Sequence, residues 1–233
     1  HWPEIKTKVY LNSVVTLVDA EAMSMGSPVG DLIALNKQRE EDPNIDHLNS
    51  VENLFENQLK SADIVLMSRS DLITKRTMTE LITELEIKLN PGISIIPINN
   101  GIIDPNILFG CVNSESHNHN YNLTNTLEDN HDHDHDHLDV VSESVQIEAS
   151  VDKDRLESLL NEICPKYKTL RVKGRLWLRD KILPLQIQMV GKRLTVWFEE
   201  VPINTWKPAS EGLDLVVISL KKGAADEITA SFI

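Results

Sequence analysis

The 233 residues, 41% hydrophobic and 25% charged, can bury a core in one or two domains, and the formal net charge of −13 argues against nucleic acid as the main partner while agreeing with a cation-handling protein. No apolar run approaches the roughly 18 residues needed to span a membrane. Cys111 and Cys164 stand far apart, in no motif, and give no disulfide framework; the opening His1-Trp2-Pro3-Glu4 lacks the form of a signal peptide, so a cytoplasmic location is expected.

In chain order, Val14 to Val18 is a continuous β-branched apolar run ending at Asp19, the pattern of a strand buried on both faces. Asp46 to Ser61 carries Leu48, Val51, Leu54, Phe55 and Leu59 near helical spacing. Ile64 to Met67 is a second strand. Thr77 to Leu89 is a second amphipathic helix, stopped by Asn90-Pro91-Gly92, and Ile93 to Ile98 a third strand. Strands alternating with helices over residues 1–113 predict a parallel sheet. Residues 114–144 then replace apolar periodicity with Asn, Ser, His and Asp and hold no Lys or Arg, which predicts a linker that is disordered without metal.

From 145 to 233 the pattern changes. Val145 to Ala149 reads as a strand and Asp152 to Ile163 as a helix with Leu156, Leu159, Leu160 and Ile163 on one face. Leu170 to Leu178 alternates, placing Arg171, Lys173 and Arg175 on a face expected to be solvated. Leu185 to Phe198 is strand-rich with a turn at Gly191-Lys192. Leu213 to Leu220 is a strand and Ala224 to Ile233 a short helix. This order predicts a small α+β domain of ferredoxin-like character, with Trp177, Trp197 and Trp206 as core or partly buried packing.

The segment 114–144 holds six of the eight histidines. His131, His133, His135 and His137 alternate with Asp132, Asp134 and Asp136, and His117 and His119 precede them. Neutral imidazole is the commonest ligand for borderline divalent metals, and interleaved carboxylates raise the local cation concentration. An extended chain would present the four rings in one row, roughly 6.6 Å apart; a helix would pair them four residues apart. Neither geometry selects one metal. A solvated acidic linker that binds metal only as a purification tag does is the plainer alternative.

Two turns are candidates for ligand binding. Ser68-Arg69-Ser70-Asp71 directly follows a strand. The carboxylate of Asp71 can accept two charge-assisted hydrogen bonds from the ring N–H and exocyclic amine of guanine, a pattern adenine lacks. The stem and cation of Arg69 could lie over the base. Pro97-Ile98-Asn99-Asn100-Gly101 closes the next strand at the edge where parallel sheets usually bind ligands. Asp19 could stand behind a magnesium ion or phosphate. For each the simpler reading is a turn or a cap. No Gly-x-x-x-x-Gly-Lys-Ser/Thr, Cys-x-x-Cys or His-Glu-x-x-His occurs in the chain, and no catalytic residue stands out.

Taken in order, Trp2-Pro3-Glu4-Ile5-Lys6-Thr7, Val14 to Ala20, Leu54-Phe55-Glu56-Asn57-Gln58-Leu59 with Ala62-Asp63, and Ser70-Asp71-Leu72 form a recognisable series. Asp104-Pro105 with Leu108-Phe109-Gly110, the His-rich segment, Leu170 to Gly174 and Gln188 to Arg193 complete it. The chain resembles the CobW family of P-loop GTPases, in its cobalamin-biosynthesis branch. The resemblance implies the C-terminal part of a GTPase parallel-sheet domain, a His-rich metal loop and a CobW C-terminal domain. It implies a GTP- and Mg2+-dependent metallochaperone delivering Co2+ toward cobaltochelatase. A Zn2+ or Ni2+ chaperone of the same family and a non-enzymatic metal buffer are the alternatives, and a homo-oligomer is compatible with any of them. Asp71 matches the family's guanine-reading Asp, with Arg69 in place of the usual Lys; Asn99, Asn100, Gly101 and Asp19 complete the candidate nucleotide residues. The family's Walker A loop and Cys-x-Cys-Cys site lie upstream of anything matching Trp2. The chain is therefore expected to be roughly the C-terminal two-thirds of such a protein, neither binding GTP tightly nor hydrolysing it alone.

Overall fold

The structure, a computed structural model, describes residues 9, 11–28, 33, 37, 51–109 and 140–233. It divides into two compact units: Ser13–Ile103, and Asp104–Ile233 together with the chain up to Asn12.

The first unit holds β1 (Val15–Asp19), α1 (Ala20–Ser24), α2 (Val51–Ser61), β2 (Ile64–Ser68), a 3-10 turn (Ser70–Leu72), α3 (Lys75–Lys88) and β3 (Ser94–Pro97). The strands are parallel in the order β1-β2-β3. Central β2 is buried from Ile64 to Met67, as a strand covered on both faces must be. The same expectation fails for β1. Thr16 and Val18 are buried, but β1 is an edge strand among the described residues, and Leu17 on its other face is 63% exposed. Val18, Leu59, Val65, Met67, Leu81 and Leu85 form the core. Asp63 anchors the start of the sheet, its Oδ2 accepting from the Val14 N–H at 2.7 Å. Helix α3 begins two residues before the expected Thr77, because the Thr74 hydroxyl accepts from the Thr77 N–H at 3.2 Å and caps it.

The second unit holds α4 (Pro105–Phe109), β4 (Val141–Ile147), α5 (Lys153–Tyr167), β5 (Thr169–Trp177), β6 (Leu185–Val190), β7 (Arg193–Phe198), β8 (Gly212–Ser219) and α6 (Ala224–Phe232). Its sheet has the order β4-β8-β5-β6-β7, and every paired neighbour is antiparallel. Both β4 and β5 run opposite to β8, so they are parallel to each other. The β4-α5-β5 connection is thus a split βαβ unit with β8 inserted, consistent with the expected α+β class. Leu156, Leu160 and Ile163 of α5 and Ile228 of α6 pack with Val172, Ile187, Leu215 and Val217 in one core. Gly174 sits where β5 and β8 approach most closely: a Cβ there would meet the Asp214 carbonyl oxygen and lie 2.7 Å from Leu215 Cα.

Three sequence expectations change here. Residues 141–144, assigned to the linker, are strand, with Val141 paired to Ser219 and Ser144 to Val216. Helix α5 continues past Ile163 to Tyr167 with Pro165 inside it, and Lys168 closes it in the left-handed region at φ 49°. Finally, Arg171 is not on a solvated face but 1% exposed. Its Nη1 donates to the Leu108 carbonyl at 2.8 Å and its Nη2 to Asn12 Oδ1 at 2.5 Å. Gln188 Nε2 donates to the same Asn12 oxygen at 2.6 Å, and Asn12 Nδ2 donates to the Leu108 carbonyl at 3.0 Å. This node holds Asn12 and Leu108 against the antiparallel sheet, within one compact unit. Trp177, Trp197 and Trp206 are partly buried, as expected, and Trp177 meets Trp206 edge-on at 5.4 Å between ring centroids.

Candidate nucleotide-reading edge

The three parallel strands end nearly level. Asp19 stands in register with Ser68, and Met67 with Pro97. The turns after them therefore share the carboxyl edge of the sheet, where ligands bind in open α/β folds.

Asp19 is the N-cap of α1, its Oδ1 accepting from the Ala22 N–H at 3.0 Å. Its Oδ2 accepts from Arg69 Nη1 at 2.9 Å. The other arm of the guanidinium pairs with Glu21. Arg69 itself occupies the left-handed region at φ 57°, uncommon for a residue with a side chain, and leads into the 3-10 turn. On the far side, Ser70 Oγ donates to the Ile98 carbonyl at 3.1 Å and also hydrogen-bonds Asn99 Oδ1. Asn100 and Gly101 have positive φ, 51° and 71°, and Asn99 accepts from the Ile102 N–H at 2.9 Å, closing that turn.

Asp71 lies between these braces. It is exposed and, among the described residues, no hydrogen bond or ion pair engages its carboxylate. Both of its oxygens are available to a ligand. Arg69, expected over a base, has its guanidinium committed to two carboxylates. Asp19 has one oxygen on the α1 cap and the other on the Arg69 ion pair. The sequence-predicted residues Asp19 and Arg69 are thus brought into contact, as are the two turns through Ser70 and Asn99. Glu21 and Ser70 were not anticipated. Glu21 carries a weak signal, an acid two residues beyond Asp19; Ser70 carries none apart from its place between Arg69 and Asp71.

The expected metal ligands His117, His119, His131, His133, His135, His137, Asp132, Asp134 and Asp136 all lie outside the described residues. Among the described residues no cluster of three or more His, Cys, Asp or Glu could hold a metal ion. No helix among them is long and apolar enough to cross a membrane.

A parallel sheet of strands and helices followed by a split βαβ unit defines a two-part α/β and α+β protein, and comparison with known families gives each part a match. The model of the CobW/HypB/UreG nucleotide-binding domain matches residues 1–97, and that of the cobalamin synthesis protein cobW C-terminal domain matches 140–232. The chain belongs to the CobW family. A zinc chaperone CobW from Pseudomonas aeruginosa is 30% identical over 198 residues, 85% of this chain and 52% of the relative. Another zinc chaperone CobW, from Sinorhizobium sp, is 30% identical over 222 residues, 94% of this chain and 62% of the relative. The chain thus spans less than two thirds of either relative's length. Among solved structures, Zn(II)-bound YjiA GTPase from E. coli is similar at 18% identity, with 99% of this chain and 63% of that one covered and a TM-score of 0.36.

Proposed function

We propose that this chain is part of a GTP-dependent metallochaperone with a cytoplasmic site of action, in which Asp71 reads guanine and the His-rich segment gathers divalent metal. The exposed, unengaged carboxylate of Asp71, held between two braced turns at the carboxyl edge, carries the nucleotide half of this reading. An acceptor pair in that place matches the two adjacent donors of guanine and opposes the acceptor that adenine presents. GTP, when bound, supplies the phosphoryl chemistry. The residues of this chain contribute base selection, and no phosphate-cradling glycine loop occurs in the sequence.

Zinc is the favoured cargo, because both relatives at 30% identity are zinc chaperones and alternating imidazoles suit zinc. A second reading, cobalt carried to cobaltochelatase, is supported by the description of the C-terminal domain as that of a cobalamin synthesis protein. Nickel follows only from the ligand chemistry of imidazole.

Two titrations of the chain test the proposal. GDP is expected to bind about tenfold or more tightly than ADP, from the charge-assisted pair at Asp71, with the preference lost in Asp71→Ala. Zinc and cobalt are each expected to bind, with most of the capacity lost when His131, His133, His135 and His137 become Ser. Equal affinity for GDP and ADP overturns the guanine reading. Undiminished zinc binding in the four-fold variant overturns the metal reading.

A further inference from the structure

Base recognition by Asp71 needs a turn that keeps its carboxylate in place without using that carboxylate. We propose that Arg69 is a positioning residue for base selectivity, acting through its ion pairs to Asp19 and Glu21 rather than by lying over the base.

Three observations carry this. The two arms of the guanidinium are split between different carboxylates: Nη1 is 2.9 Å from Asp19 Oδ2, and Nη2 pairs with Glu21. Those acids are only partly exposed, 33% and 27%, and Asp19 is itself fixed by capping α1. The Arg69 backbone is in the left-handed region, a conformation that persists only when its surroundings over-determine it. The side chain therefore ties the end of β2 to the end of β1 and the start of α1. Ser70 ties the next residue to the β3 turn through the Ile98 carbonyl and Asn99. Asp71 follows these two braced residues at once, the Leu72 N–H donates to the Arg69 carbonyl at 3.1 Å to close the turn, and the Asp71 oxygens are left open. A lysine is a poorer substitute, since its donors all sit on one compact nitrogen, whereas the planar fork brings a separate nitrogen to each carboxylate.

This inference rests on the guanine reading of Asp71, and the two can fail separately. The test is an NMR titration of the chain with GDP, XDP and ADP, for wild type, Arg69→Lys, Glu21→Gln, their double variant and Asp71→Asn. In Asp71→Asn the side chain can donate to the 2-oxo group of xanthine, so selectivity is expected to move from GDP to XDP. Arg69→Lys and Glu21→Gln are each expected to weaken GDP about three- to fivefold, the scale of partly exposed ion pairs. ADP, which does not use Asp71, should be unchanged, which general loosening of the fold would not spare. The double variant should be no weaker than the worse single one, because both break the same contact. If Asp71→Asn switches selectivity while Arg69→Lys and Glu21→Gln leave GDP affinity intact, the brace is overturned and the guanine reading stands. If Asp71→Asn changes nothing, both are overturned.

Discussion

Replacing Arg171 with Ala tests the buried node that joins Asn12 and Leu108 to the antiparallel sheet. The guanidinium is 1% exposed and donates to Leu108 O at 2.8 Å and Asn12 Oδ1 at 2.5 Å. Hydrogen bonds from a charged donor contribute about 1.5–3 kcal/mol each, so the gross loss is about 3–6 kcal/mol. Two effects reduce it. Neither acceptor is abandoned, because Gln188 still donates to Asn12 Oδ1 at 2.6 Å and Asn12 Nδ2 to Leu108 O at 3.0 Å. The variant also no longer buries a cation, which itself costs several kcal/mol. The cavity left by the stem acts in the other direction. The expected net destabilisation is about 2–4 kcal/mol. Urea unfolding followed by tryptophan fluorescence reads it directly, since Trp177, Trp197 and Trp206 all lie in this unit. Arg171→Lys, with a point donor in place of a fork, should lose about half as much. A loss below about 0.5 kcal/mol in Arg171→Ala, the range of ordinary surface substitutions, would refute the claim that this node holds the segment to the sheet.

Two further predictions follow from the same unit. Gly174→Ala pushes a methyl group against the β8 backbone at Asp214 and Leu215, which cannot yield as a flexible side chain would; it should cost about 3 kcal/mol and lower Tm by about 6–12 °C in calorimetry, and an unchanged Tm would count against this close approach. Burial pushes the Cys164 thiol up to about 11 from an ordinary value of 9.0. The folded state favours the protonated form, so this contribution is complete below about pH 9.0 and is lost as pH rises toward 11. It amounts to about 2–3 kcal/mol. Urea midpoints measured from pH 8 to 11 should fall less steeply in Cys164→Ala than in wild type, and parallel slopes would exclude it.

What was legible in the sequence was whatever neighbouring residues decide. The apolar runs Ile64–Met67 and Leu213–Leu220 announced strands because burial on both faces or in mid-sheet leaves little room for polar residues. The turn after β2 could be placed because a strand must end where its apolar run ends. Asp71 was therefore readable, but Arg69's engagement was not, because its partner Asp19 is 50 residues away. Arg171 failed in the same way on a larger scale. Alternation assigned it to the face away from the helices, and solvation was inferred from that. The groups that cover it lie 63 and 159 residues off in sequence, at Leu108 and Asn12. Periodicity sees which face a residue takes and not what comes to cover that face. Helix α5 outruns its expected end at Ile163 and contains Pro165 two residues before its last residue, Tyr167.

The place of β8 in its sheet bears on synthesis as well as stability. Strand β8 lies between β4 and β5, although it is the last strand of the unit to be made. Until residue 219 has left the ribosome, β4 lacks the neighbour it pairs with, and only the β5-β6-β7 meander can form. The described parallel strands, all made by Pro97, can pair long before. The nascent chain therefore carries β4 with its pairing edge bare for the time it takes to translate some seventy further residues, a few seconds to about fifteen at ordinary elongation rates. An open strand held that long is a natural target for chaperones, and stalled translation before Gly212 should yield a product that aggregates through β4.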